Sequence, residues 1–210
     1  DALSLGSDVG CGMDSSGLIQ CWGNVGKSVS NPPNQVVYDM DIAEEHGCAV
    51  TANPAYGIAC WGVDDYGQAT PPDTEWESVD SGWYHACAID ILGQMECWGK
   101  NNRGQTSFDT TITYKQVSGG YEHTCAITDS NTLSCFGWDS STQSTPPSGT
   151  FTQVSAGYNH TCGLTLLGTI KCWGDDTYNK VTDAPTGNNW VQVSAGTDHN
   201  CAMNSAGSLY

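Results

Sequence analysis

Cysteine recurs along this chain with a nearly constant period. Cys11, Cys48, Cys87, Cys125, Cys162 and Cys201 follow one another at intervals of 37 to 39 residues. A second cysteine comes ten residues later at Cys21, Cys97, Cys135 and Cys172, and twelve later at Cys60. Each of these five precedes an aromatic residue and a glycine, as in Trp22-Gly23, Trp61-Gly62, Trp98-Gly99, Phe136-Gly137 and Trp173-Gly174. Self-similarity at a fixed period of this size means one supersecondary unit repeated side by side, because a single unit cannot bury its own apolar face.

Each unit reads as three short strands and a long excursion. The first strand is the segment typified by Val193-Ser194-Ala195-Gly196, and the second starts at His-x-Cys. A turn with Gly168 or Asn131 follows, and the third strand carries Cys-Trp-Gly. The excursion is polar, contains Pro32-Pro33, Pro71-Pro72 or Pro146-Pro147, and ends near Trp76, Tyr114, Phe151 or Trp190, where a fourth strand can begin. Alternating runs between Gly, Pro, Asn and Asp clusters are strand and turn signals. A period near 40 with three or four strands per unit predicts an all-β fold, a β-propeller of about six blades, or seven if the chain continues. A β-solenoid is the alternative, and its coils are usually shorter. The expected organisation is a single propeller domain over 1–210, with repeats at about 1–38, 39–77, 78–115, 116–152, 153–191 and 192–210, the last incomplete.

Ten cysteines fall into five like-spaced pairs. Structural zinc sites usually pair ligands two to four residues apart, so a ten-residue gap across a turn is wrong for zinc. Facing residues of an antiparallel hairpin are close enough for a disulfide. The predicted bridges are Cys11–Cys21, Cys48–Cys60, Cys87–Cys97, Cys125–Cys135 and Cys162–Cys172, one per repeat. Such bonds persist in oxidising compartments, which predicts a secreted or cell-surface protein. Cys201 has no partner and is expected to be unpaired or intermolecular. Asp1 to Leu5 aligns with the first strand of the other repeats, and the chain stops where Cys-Trp-Gly would follow. Further sequence or a neighbouring subunit is therefore expected to complete that seam.

Charge narrows the function classes. Twenty-three acidic and 6 basic residues give a formal net charge of -17. That balance opposes nucleic-acid binding, which needs clustered Lys and Arg, and docking on anionic lipid. No apolar run is long enough to span a membrane. No leader is visible at Asp1, so a secreted form would already have lost it.

The frame Ser-Ala-Gly-x-x-His-Thr-Cys-x-Leu, a turn glycine, then Cys-Trp-Gly-x-Asp/Asn-x-x-Gly-Gln resembles the regulator-of-chromosome-condensation repeat family. Trp61 to Gln68 and Trp98 to Gln105 carry the resemblance most closely. It covers nearly the whole chain and implies a propeller. The cysteine-bearing form is similar to crinkly-type receptor-kinase ectodomains in plants and to secreted bacterial propeller inhibitors, which implies protein binding on a propeller face. Disulfides and strong negative charge set this chain apart from the nuclear founder of the family, an exchange factor that contacts chromatin.

The side chains with chemical potential divide by repeat position. His46, His85, His123, His160 and His199 share one position, held by Val9 in the first repeat. Recurrence in nearly every repeat predicts a structural role, although a histidine ring is also what a metal site or pH sensor would use. Asp64, Asp65, Asp175 and Asp176 are weak calcium candidates, since paired carboxylates in loops suit that ion but no EF-hand spacing is present. No metal or cofactor is expected. No nucleophile elbow or His-Glu-x-x-His motif appears, so no catalytic residue is assigned. Trp83, Tyr84, Tyr121, Trp138, Tyr158 and Tyr178 lie in turns outside the core pattern and are the interface candidates. The sequon Asn159-His160-Thr161 makes Asn159 a glycosylation candidate.

The expected function is non-catalytic extracellular recognition or scaffolding, by binding a protein partner or by self-association. A carbohydrate-binding propeller and a secreted hydrolase are the alternatives.

Overall fold

The computed structural model describes residues 3–24, 26–53 and 55–210. Asp1 and Ala2, two of the five residues of the expected N-terminal seam, lie outside them. Seventeen strands appear among the described residues: β1 Leu3–Leu5, β2 Val9–Met13, β3 Ile19–Gly23, β4 Val37–Ile42, β5 His46–Ala52, β6 Ala55–Gly62, β7 Ser78–Ser81, β8 His85–Ile89, β9 Met95–Gly99, β10 Tyr114–Gly119, β11 His123–Thr128, β12 Leu133–Gly137, β13 Phe151–Ala156, β14 His160–Thr165, β15 Ile170–Gly174, β16 Trp190–Ala195 and β17 Asn200–Asn204. Consecutive strands pair antiparallel into five three-stranded sheets and one pair, β16–β17. A bridge from Met203 to Leu209 extends the pair. The only helical turns among the described residues are 3₁₀ segments at Ser28–Ser30 and Thr177–Asn179. The chain forms two compact units, Asp1–Asn101 with three sheets and Asn102–Tyr210 with the other three.

Within each sheet the cysteines fix the register. Cys11 faces Cys21, Cys48 faces Cys60, Cys87 faces Cys97, Cys125 faces Cys135 and Cys162 faces Cys172. Every pair is disulfide-bonded. Cys201 is an exposed free thiol.

Neighbouring sheets are joined by one set of contacts repeated in each unit. The tryptophan after the second cysteine crosses to the preceding repeat. Trp61 Nε1 donates to the Val29 carbonyl at 2.7 Å, Trp98 to that of Gln68 at 3.0 Å, and Trp173 to that of Gln143 at 2.9 Å. Trp22 departs from its expected core role: it is 50% exposed, and no hydrogen bond carries its ring to another sheet among the described residues. On the first strands, polar side chains reach the next first strand. Gln116 accepts from Val154 N and donates to Val154 O, while Ser118 Oγ accepts from Ala156 N. Gln153 and Ser155 likewise accept from Val193 N and Ala195 N. In the second sheet Asp39 and Asp41 take these places and accept from Val79 N and Ser81 N. The first strands approach so closely that a Cβ on Gly157 would sit 2.4 Å from the Gly196 carbonyl oxygen. That spacing explains the glycine of the Ser-Ala-Gly motif.

Candidate functional site

Two loops meet at one end of every three-stranded sheet. One joins the first strand to the second and ends just before the histidine position. The other leaves the third strand after the Trp-Gly pair. A backbone bond pins them together: Asn24 N donates to Asp8 O, Val63 N to Glu45 O, Lys100 N to Tyr84 O, Trp138 N to Glu122 O and Asp175 N to Asn159 O, all at 2.8 to 2.9 Å. Side chains from both loops therefore share one sheet end.

The second loop is built from within. Gln68, Gln105 and Gln143 are fully buried, and each carboxamide oxygen accepts the backbone N–H two residues earlier, from Tyr66, Arg103 and Ser141 at 2.8 Å. Asp64 accepts from Ala69 N and Thr70 Oγ1, and Asp139 accepts from Ser144 N and Thr145 Oγ1. Asp176 accepts from Val181 N, Thr182 N and Thr182 Oγ1, and these bonds hold its carboxyl below the usual range. The fifth repeat replaces the buried glutamine with Lys180, whose Nζ lies 2.6 Å from Asp175 and 3.3 Å from Asp198. Its bond also holds the Asp175 carboxyl down. Three of the four calcium candidates thus stabilise their own loops, and the fourth, Asp65, is exposed. Among the described residues no group of three or more His, Cys, Asp or Glu is gathered around a common point.

The histidines lie behind these loops. His46, His85, His123 and His160 are fully buried, whereas His199 is exposed. His123 Nε2 lies 2.8 Å from Thr161 Oγ1, and His160 Nε2 lies 2.7 Å from Asn200 Oδ1, in each case on the next sheet. Burial pushes His46 and His123 down to about 4 and lowers His160 as well. His123 and His160 are neutral linkers between repeats, whereas both ring nitrogens of His46 are buried without a hydrogen-bond partner. Asn159 sits beside His160 with its Oδ1 buried, and Thr161 of the sequon is buried too, bonded to the Gln143 carbonyl.

Outward from this frame stand the aromatics. In the first unit Tyr84 packs edge-on against Tyr66 at 5.6 Å and against Trp83 at 6.3 Å, and Lys100 Nζ lies 4.6 Å from the Tyr84 ring centre and 5.2 Å from that of Tyr66. In the second unit Tyr121 and Tyr158 stack at 4.3 Å. Arg103 lies 5.2 Å over the Trp138 ring and pairs with Glu122 at 3.4 Å. Both cations sit on ring faces, where the π quadrupole attracts them. Four of the six interface candidates thus enter two aromatic clusters, and a fifth, Trp138, carries Arg103 on its face. Tyr178 is 77% exposed and joins neither among the contacts of the described residues. Sequence reasoning missed Tyr66, Lys100 and Arg103. Tyr66 occupies the same loop position as Tyr178, five residues after the tryptophan, so aligning the repeats position by position would have exposed it.

The profile of the regulator of chromosome condensation (RCC1) repeat matches residues 76–105, 114–143 and 151–180. These three segments are RCC1 repeats. Solved structures agree on its fold. The CRINKLY ectodomain of the Arabidopsis thaliana receptor kinase ACR4 superposes with a TM-score of 0.80 at 22% identity, covering 98% of this chain and 77% of that one. The ectodomain of the Physcomitrella patens receptor kinase CR4 gives 0.83 at 21% identity, covering 98% of this chain and 60% of that one. Yeast RCC1 (Prp20), solved with Kap60, gives 0.79 at 16% identity, covering all of this chain and 68% of that one. The RCC1-repeat chain is an all-β propeller by fold class, with about one disulfide per blade, and it spans 60 to 77% of the length of these propellers.

Proposed function

We propose that the RCC1-repeat chain is a non-catalytic extracellular recognition module that binds a protein partner with the loop end of its blades. The observation that carries this reading is the pair of aromatic clusters on pinned loops, Tyr66–Trp83–Tyr84 with Lys100 and Tyr121–Tyr158 with the nearby Arg103–Trp138 pair. Aromatic and arginine side chains on rigid elements dominate binding energy at protein interfaces, because they bury large area with little entropy left to lose. The loop donors and buried glutamines pre-organise them. Five disulfides support an oxidising, extracellular setting. Receptor-kinase ectodomains among the similar structures support the same setting, and the yeast neighbour solved with Kap60 supports a protein as partner. A net charge of -17 favours a partner with a cationic face.

The test is capture of secreted and cell-surface proteins on the immobilised, disulfide-intact chain, followed by binding kinetics. A partner retained by the native chain is expected to be lost from Tyr84→Ala and from Trp138→Ala at unchanged melting temperature. A partner bound equally well by both variants would place recognition elsewhere.

A further inference from the structure

One segment of the first unit breaks the repeat at the opposite end of its sheet. The β5–β6 hairpin carries two residues more than the corresponding hairpins, since Cys60 follows Cys48 by twelve positions instead of ten. The longer hairpin presents Tyr56, which adopts φ 61, a left-handed conformation that few side chains tolerate. Two bonds hold it there: Trp76 N donates to the Tyr56 carbonyl at 2.6 Å, and Thr51 Oγ1 to the adjacent Gly57 carbonyl at 3.1 Å. The Tyr56 ring stacks on Tyr38 with centres 5.7 Å apart and planes at 28°. Tyr38 sits at the irregularity in β4 between Val37 and Asp39. The matching positions in β10, β13 and β16 carry Lys115, Thr152 and Val191, so the aromatic pair belongs to this sheet and not to the repeat.

Both rings remain about half exposed, at 55% and 50%. A strained backbone that presents an exposed ring contributes little to folding. Such outliers persist where the strain serves a site. Gly57, which follows Tyr56, lines a cleft of about 290 Å³ whose walls mix the polar Gln35, Asp73 and Thr74 with the apolar Ile58, Ala59 and Pro71. Flat aromatic faces next to a few polar groups suit a ligand that is apolar on one face and hydroxylated at its rim.

We propose that Tyr38, Tyr56 and this cleft bind a neutral oligosaccharide. The C–H face of a pyranose lies on the tyrosine rings, and its hydroxyls exchange hydrogen bonds with the Gln35 carboxamide, the Asp73 carboxylate and the Thr74 hydroxyl. A net charge of -17 disfavours uronates and sulfated sugars. A proline-rich peptide is the competing ligand for tyrosine platforms, but a proline run has no N–H to give the Asp73 carboxylate at the cleft, whereas a sugar hydroxyl donates to it. This site is separate from the loop-end aromatics and does not rest on their role.

The test is calorimetric titration of the disulfide-intact chain with cellohexaose, mannohexaose, xylohexaose and chitohexaose, with decaproline alongside. At least one hexaose is expected to bind with a Kd of about 1 mM or tighter. Tyr56→Gly relieves the backbone strain, and Tyr38→Thr installs the residue found at the matching position of β13. Each is expected to weaken that binding at least tenfold with the melting temperature maintained, while Tyr84→Ala leaves it unchanged. Binding of decaproline alone, binding of none of the four sugars, or sugar binding that survives both tyrosine substitutions would overturn the assignment.

Discussion

At the scale of single residues, burial sets the chemistry. Asp41 is stitched to its neighbours by bonds from Ser4 Oγ and Ser81 N, yet burial raises its carboxyl to about 6 and the Asp39 charge adds to the rise. Burial raises Asp39 too. A folded value above 3.8 means that the fold favours the protonated form. The stabilisation from Asp41 is complete below pH 3.8 and is lost as the pH climbs through about 6. Asp41→Asn removes the charge, keeps an oxygen to accept from Ser81 N and reverses the other bond, its Nδ2 donating to Ser4 Oγ, and is expected to raise stability at pH 7.5 by about 2 kcal/mol. At pH 3.5 the gain should vanish, which denaturant unfolding at the two pH values would show. His46 and His123 act in the opposite direction. Their values fall from 6.5 to about 4, so the unfolded chain takes up protons first and stability is lost as the pH falls from 6.5 towards 4. Each contributes a slope approaching 1.4 kcal/mol per pH unit within that window. His123→Gln should flatten the acid limb of the stability profile. An unchanged profile would mean that the ring is already charged in the native protein.

At the scale of elements, the blade is a hairpin triplet with one covalent cross-link and a side-chain ladder to its neighbour. Replacing Cys125 and Cys135 together with serine opens a short loop and is expected to cost about 2–3 kcal/mol, read as a lower denaturant midpoint. The ladder matters comparably. Gln116→Ala removes both partners of Val154 and leaves its N–H and carbonyl unmatched beside a buried strand, at about 1–3 kcal/mol. The register of these elements was legible, because paired cysteines and alternating residues encode which positions face each other. The ladder was not. Gln116 and Val154 are 38 residues apart, and nothing local marks a glutamine in a strand as a surrogate for a backbone partner.

At the scale of the whole molecule, covalent state and charge are the measurable quantities. Five disulfides leave Cys201 as the free thiol among the described residues. Thiol titration of the purified 210-residue chain should count one reactive group before reduction and eleven after it. A count of zero before reduction would mean that Cys201 pairs between chains. The charge of -17 predicts that association with a cationic protein slows steeply as salt screens the attraction, while dissociation changes little.

The sequence by itself determined the period, the number of repeats, the pairing of ten cysteines and the three-strand plan of each unit. The pairing and the strand plan follow from spacing and alternation over twelve residues or fewer, and the period and repeat number from recurrence every 37 to 39 residues. The tertiary structure decided which aromatics meet. Tyr66 reaches Tyr84 across 18 residues, as Tyr38 reaches Tyr56, because loops from successive strands are pinned at one sheet end or extended at the other. It also decided exposure. Trp22, Trp61 and Trp173 share one motif, yet only the latter two are buried, and their Nε1 groups reach the Val29 and Gln143 carbonyls of the preceding repeats, contacts that no local spacing encodes.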